Sequence, residues 1–180
     1  MAAQITPTGN ERFFDKDEII VSKTDLKGHI TYANDVFLRM ADMTEKQALG
    51  APHSVIRHPE MPRCIFKLLW ERIQDKEEIF AYVNNMSTKG DNYWVLAHVT
   101  PTFDEAGNIT NFHSNRRVPG RKVLESTVMP LYKKLLEEEN RHSNAKEGMN
   151  SAYRMLLALL EEQQTSYDEF VFSLATGDAS

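Results

Sequence analysis

The sequence contains one cysteine, Cys64, so no intramolecular disulfide can staple the chain and its fold must rest on a packed core. Long apolar runs are also missing. The longest cluster, Met155 to Leu160, falls far short of the roughly 20 residues that a membrane-spanning helix needs. Positive charge is not in excess either: 21 Lys and Arg stand against 26 Asp and Glu, a formal net charge of −5. That balance argues against a surface built for a phosphate backbone, and the local basic cluster of Arg116, Arg117, Arg121 and Lys122 does not outweigh it. The stretch Met1 to Pro7 has no basic segment followed by an apolar one, so no secretory signal is expected. The expectation is a cytoplasmic chain with no membrane insertion and no nucleic acid as partner. Catalytic signatures are equally scarce. There is no Gly-rich phosphate loop, no paired-histidine zinc helix and no Gly-x-Ser-x-Gly elbow. His53 and His58 lie five apart, poor spacing for two metal ligands on one helical face. Neither an enzyme nor a metal site is expected.

What is present fits one domain of ordinary core size with an appendage, since 180 residues are short for two full domains. Residues 1–18 are polar and read as a lead-in, with Phe13 and Phe14 available to dock on the body. Ile19-Ile20-Val21 begins a β-type run that turns at Asp25-Leu26-Lys27-Gly28 into the alternating His29-Ile30-Thr31-Tyr32-Ala33. Asn34 is a good N-cap, and Thr44-Glu45-Lys46-Gln47 is a capping box for a second short helix that Gly50 stops. Ile65, Phe66, Leu68, Leu69, Arg72 and Ile73 mark a longer amphipathic helix over about 62–75, on which Trp70 is expected to serve packing. From Ile79 the period changes to that of strands, with turns at 88–92 and 104–108 and a last strand from Ile109 to Arg116. Strands and helices are segregated, which predicts an α+β fold: a five-stranded antiparallel sheet with short helices on one face. After Gly120 the pattern is helical. Leu124, Val128, Leu131 and Leu135 form one seam, and Tyr153, Leu156, Leu157 and Leu160 form a second. This C-terminal helical tail, residues 121–180, is expected to close on itself or to pair with another chain.

The unusual stretch is Gly50-Ala51-Pro52-His53-Ser54-Val55-Ile56-Arg57-His58-Pro59-Glu60-Met61-Pro62. It sets a guanidinium, an imidazole and a carboxylate on proline-stiffened backbone. Arg57 offers a planar donor fork for phosphate or carboxylate and can stack on an aromatic ring. On these residues alone two readings stand: a pocket wall for an anionic, aromatic ligand, or a surface loop whose charges pair with each other.

A resemblance bears on the choice. Thr24-Asp25-Leu26-Lys27-Gly28-His29-Ile30-Thr31-Tyr32-Ala33-Asn34, then Gly50-x-Pro-His53, then Arg57-His58-Pro59-Glu60-Met61-Pro62, then Lys89-Gly90-Asp91-x-Tyr93-Trp94-Val95 resemble the PAS domain of bacterial aerotaxis receptors. The likeness covers roughly residues 19–117, in order and with near-collinear spacing. It implies a PAS sensor domain over residues 19–120 and a pocket that holds FAD, whose redox state reports oxygen or electron-transport status. The cofactor residues it implies are Asn34, His53, Arg57, His58, Glu60 and Asn85. Glu60 stands where the family has aspartate, and Ile79 stands where it has a tryptophan. Haem, with His53 or His58 as axial ligand, is the alternative cofactor. A ligand-free interaction module is the alternative function. The resemblance also implies a chemotaxis-type transducer or other signalling protein as partner. With no transmembrane segment, kinase or long coiled coil in these 180 residues, that partner is expected to be a separate chain, and the two apolar seams of the tail point to a homodimer through the C-terminal helices.

Overall fold

Asp25-Leu26-Lys27-Gly28 reverses the chain between β1 (Ile20–Thr24) and β2 (Ile30–Ala33). Asp25 Oδ1 accepts the backbone N–H groups of Lys27 and His29 at 2.9 and 2.8 Å, and Gly28 takes φ +83, a conformation that costs other residues more. The structure, a computed structural model, describes residues 5–177. The first four residues of the lead-in and the last three of the tail lie outside the described residues.

Asn34 caps α1 (Asp35–Ala41), and Thr44 with Gln47 forms the capping box of α2 (Glu45–Ala48). A single 3₁₀ turn over His53–Ile56 follows. Then comes α3 (Arg63–Gln74), close to the span its periodicity predicts. Three long strands complete the sheet: β3 (Ile79–Met86), β4 (Asn92–Phe103) and β5 (Ile109–Arg117). The sheet has five strands in the order β2-β1-β5-β4-β3, every pair antiparallel. This is the α+β architecture expected from the sequence.

Side chains alternate across a strand, and the alternation sorts this sheet into two faces. Ser22, Thr24, Val83, Asn85, Ala97, Val99, Phe112, Ser114 and Arg116 point inward, beneath α3 and the 3₁₀ turn, where they border one cavity. Tyr82 and Trp94 belong to the opposite face, and the tail covers them.

The tail is a rod that turns back. α4 (Arg121–Val123), a π turn over Leu124–Val128 and α5 (Met129–Asn140) run on with helical backbone throughout. α6 (Ala145–Glu162) returns antiparallel beside α5, and α7 (Tyr167–Gly177) follows. Gly148 allows the close approach of α6 to α5, since a Cβ there would lie 2.3 Å from the Glu139 carbonyl oxygen. The sequence reading anticipated a two-helix tail; α7 is a third helix. Tyr132 Oη donates to the Tyr82 carbonyl at 2.7 Å, Trp94 and Tyr132 pack with ring centroids 6.1 Å apart, and Phe172 lies 5.1 Å from Phe80. The lead-in is tied down as well. Arg12 and Asn10 exchange backbone hydrogen bonds with Asn92 at 2.7 and 2.9 Å, and Arg121 pairs with Glu11 at 2.7 Å. Phe14 packs on the core while Phe13 stays exposed.

Candidate functional site

The segment after α2 is stitched at both ends, and that stitching aims its side chains. Ile30 N–H donates to the Ala51 carbonyl at 2.9 Å, Gly50 N–H to Ile30 at 2.8 Å, and His53 N–H to Gly28 at 2.8 Å. At the far end Arg57 bridges to Asn85 of β3. His53 and Arg57 are thereby held over the inner face of the sheet. α3 forms the opposite wall. Phe66, Leu69, Trp70 and Ile73 recur at i, i+3, i+4 and i+7, so all four fall on one stripe that borders the cavity. Trp70, expected to serve packing, stands in this wall. Its ring lies against Gly28, where a Cβ would come within 3.2 Å, and meets Phe112 edge-on at 5.6 Å.

The cavity between these walls measures about 250 Å³. Its aromatic surfaces are Phe66, Trp70 and Phe112, and its border includes Lys27, Arg57 and Arg116 but no Asp or Glu. Arg57 lies over the Phe66 ring at 3.7 Å from the centroid. Arg116 Nη2 donates to Ser22 Oγ at 2.9 Å and to His53 Nε2 at 2.6 Å. A guanidinium can only donate, so His53 Nε2 accepts and the ring proton sits on Nδ1. Burial, reinforced by the positive charges of Arg116 and Arg57, pulls the His53 pKa down to about 3, so the imidazole is neutral. Burial also lowers the Arg57 pKa, helped by Arg63 and opposed by Glu139.

Four polar atoms on this border are buried without a hydrogen-bond partner among the described residues: Arg57 Nε, Asn85 Nδ2, Ser114 Oγ and Arg116 Nη1. Folded proteins satisfy nearly all such groups, because each one left alone costs about 1–3 kcal/mol. Four converging on one cavity make it a candidate ligand site. Three of the four can only donate, so the set suits a ligand rich in acceptors. The aromatic walls suit a flat ring.

Of the residues implied as cofactor contacts, the structure brings His53, Arg57 and Asn85 together on the cavity and leaves Asn34, His58 and Glu60 off its border. Asn34 is consumed by backbone: Oδ1 accepts from Phe37 and Val21, each at 3.0 Å, and Nδ2 donates to the Ile19 carbonyl at 2.8 Å. Arg57 and His58 are neighbours in extended chain and so point to opposite sides. His58 is buried, its Nδ1 accepting the Glu60 N–H at 3.2 Å, while the Glu60 side chain faces solvent. Ile79 packs in the core with no exposure and does not border the cavity.

The sequence names none of Ser22, Phe112, Ser114 and Arg116 as a contact, and gives Phe66 only a place on the stripe of α3. Arg116 reads there as part of a local basic cluster with Arg117, yet it is 2% exposed. The period of two through Phe112, Ser114 and Arg116 was the available signal, since it places the arginine on the same face as an apolar residue.

Comparison with known proteins agrees with this fold. Residues 30–116 match a family model described as PAS fold. The chain is 37% identical over 120 residues to the aerotaxis receptor of Escherichia coli, covering 66% of this chain and 23% of that protein. It thus spans less than a quarter of the length of the curated relatives it matches. Among solved structures, a light-oxygen-voltage domain studied with a flavin analogue superposes with TM-score 0.55 at 17% identity, covering 69% of this chain and 87% of that one. The dark structure of the blue-light photoreceptor Aureochrome1 LOV gives TM-score 0.52 at 25% identity, with coverage of 68% and 84%.

Proposed function

Residues 30–116 belong to the PAS-fold family, on the side of the aerotaxis receptors, and from that premise we propose that this chain is a flavin-dependent redox sensor rather than a catalyst. The observation that carries the reading is the set of four unpartnered buried polar atoms on an aromatic-lined cavity. A flavin offers what that set lacks, a flat ring with carbonyl and ring-nitrogen acceptors along one edge. Trp70, Phe66 and Phe112 would flank the ring, and Arg57, Asn85, Ser114 and Arg116 would serve its polar edge. When bound, FAD supplies a reversible two-electron redox centre. The protein's part is to bind it, to exclude bulk water from one side and to register its charge through hydrogen-bond donors on β3 and β5.

Haem is less well served. His53 Nε2, the atom an iron would need, is engaged by Arg116 and Ser22, and a guanidinium 2.6 Å away opposes a cationic metal. The domain boundaries we propose remain 19–120 for the sensor and 121–180 for the tail, with 1–18 as lead-in. The output would pass to a signalling module of the chemotaxis-transducer kind, in the cytoplasm. Among the described residues no helix is long and apolar enough to cross a membrane.

The test is the absorption spectrum of the full chain as purified and after incubation with FAD, followed by mass identification of whatever denaturation releases. Flavin bands with released FAD are expected. A Soret band would replace the flavin by haem. Colourless protein that takes up no FAD would leave an interaction module.

A further inference from the structure

Among the described residues Arg116 is a buried cation without an anion. Its Nη2 is committed to two neutral acceptors, Ser22 and His53, and its Nη1 has no partner among the described residues. Burial lowers its pKa to about 10, which leaves it charged at neutral pH. The groups that face it come from every element packed around it, and among the described residues none supplies a negative charge. His53 on the 3₁₀ turn is neutral, and Ser22 on β1 and Ser114 on β5 do not ionise. Tyr93 on β4 has its phenol pushed far up by burial, so it stays protonated. Phe37 on α1 offers a ring face 5.7 Å from the guanidinium carbon. His113, three residues earlier on β5, falls on the other face of the sheet, and an imidazole carries no negative charge. The remaining charged residues on the border, Lys27 and Arg57, have the same sign as Arg116. An ion held in this way costs several kcal/mol unless something neutralises it. The cavity is therefore short of one negative charge at the Arg116 end.

We propose that Arg116 is the charge anchor of the site: it holds the negative charge that reduction leaves on the bound ring. This rests on the flavin reading above and deepens it. With dithionite as reductant, the bound flavin accepts two electrons and the dithionite is oxidised to sulfite. One proton is taken from solvent and one ring N–H bond forms. The second ring nitrogen keeps its lone pair, and the resulting single negative charge faces the guanidinium. Arg116 thus makes the reduced ligand bind as an anion at mildly acidic pH, where free reduced flavin is neutral. It also favours reduction, because the anchor stabilises the reduced state more than the oxidised one.

The experiment is a potentiometric titration of the flavin-loaded full chain at several pH values from mildly acidic to neutral. One proton per two electrons is expected throughout for the wild type, which halves the slope of potential against pH relative to free flavin in the acidic range. Arg116→Gln should lower the potential, weaken the holding of reduced relative to oxidised flavin by about ten- to a hundredfold, and restore two protons per two electrons. Arg116→Lys should keep the single-proton behaviour. A wild type that takes two protons per two electrons at acidic pH overturns the proposal. So does an Arg116→Gln variant that keeps its flavin with potential and slope unchanged. If Arg116→Gln does not fold, the wild-type slope still decides. A wild-type chain that never takes up flavin is a different failure, visible in the first spectrum, and it sinks the flavin reading itself.

Discussion

At the scale of single residues the site divides into groups that touch the cavity and groups that hold those groups in place. Arg57 and His58 are sequence neighbours with opposite roles. Arg57→Ala should lower flavin affinity about ten- to a hundredfold, the cost of a charge-assisted contact of roughly 1.5–3 kcal/mol. His58→Ala should act on thermal stability first, because its ring is buried away from the cavity. Titrations with limiting flavin, alongside exposed Lys46→Ala as control, separate the two; equal loss of affinity in both variants would contradict this division. His53 makes a prediction about pH. Its pKa is 6.5 when exposed and about 3 in the fold, so between those values the unfolded chain binds more protons than the native one. Stability is therefore fully present above about pH 6.5 and falls as pH drops toward 3. The ring lines an open cavity that water can reach, so the realised loss should be about 2 kcal/mol rather than the full linkage value. His53→Gln should lose less stability than wild type between neutral pH and about pH 4, measured by urea unfolding. Parallel pH profiles for the two proteins would mean that the imidazole titrates freely.

At the scale of elements, α3 stands between two partners. One stripe, Phe66, Leu69, Trp70 and Ile73, borders the cavity, while Ile65 faces the tail with Leu131, Tyr132 and Leu156. Polar bonds fasten the same back side: Tyr153 Oη donates to Glu71 at 2.6 Å and Arg72 pairs with Asp168 at 2.5 Å. Glu139 of α5, itself buried, accepts the Cys64 N–H at 2.9 Å and so caps the first turn of α3 with a carboxylate from the tail. Glu139→Ala should cost about 1–2 kcal/mol in global stability, the usual loss of a helix cap. If instead unfolding curves overlay, the tail does not support this wall. These double loyalties also explain what the sequence could and could not disclose. The strands were legible because turn residues such as Asp25 and Gly28 punctuate runs of alternating polarity, and the caps Asn34 and Thr44 announced α1 and α2. Trp70 was not legible as a wall residue, since a helix apolar on two sides gives no sign of which side meets a cavity. Arg57 could be read by its chemistry, but the split from His58 needed the backbone direction set by the bridge to Asn85. The π turn at Leu124–Val128 adds a residue to a helical turn and depends on packing that no local pattern encodes.

For the whole molecule, sensor, lead-in and tail share one packed body, and ligand binding should steady it as a unit. A ligand that binds only the native state stabilises by about 2.7 kcal/mol at a hundredfold excess over its dissociation constant. For a chain of 180 residues that corresponds to a rise in Tm of about 5–10 °C. Calorimetry with and without saturating FAD should show this shift, and its absence in protein known to bind FAD would mean that the unfolded chain binds it as well. The Glu139 contact has one more consequence, and it is practical. Burial, then the adjacent carboxylate, pushes the Cys64 thiol up to about 12, so the chain's native sulfhydryl is inert toward maleimides and iodoacetamides at neutral pH. Spin labels or fluorophores can then be attached at exposed positions, Lys46→Cys beside the sensor and Lys133→Cys on the tail, without first engineering a cysteine-free background. The distance between the two parts can be followed directly while the redox state is changed.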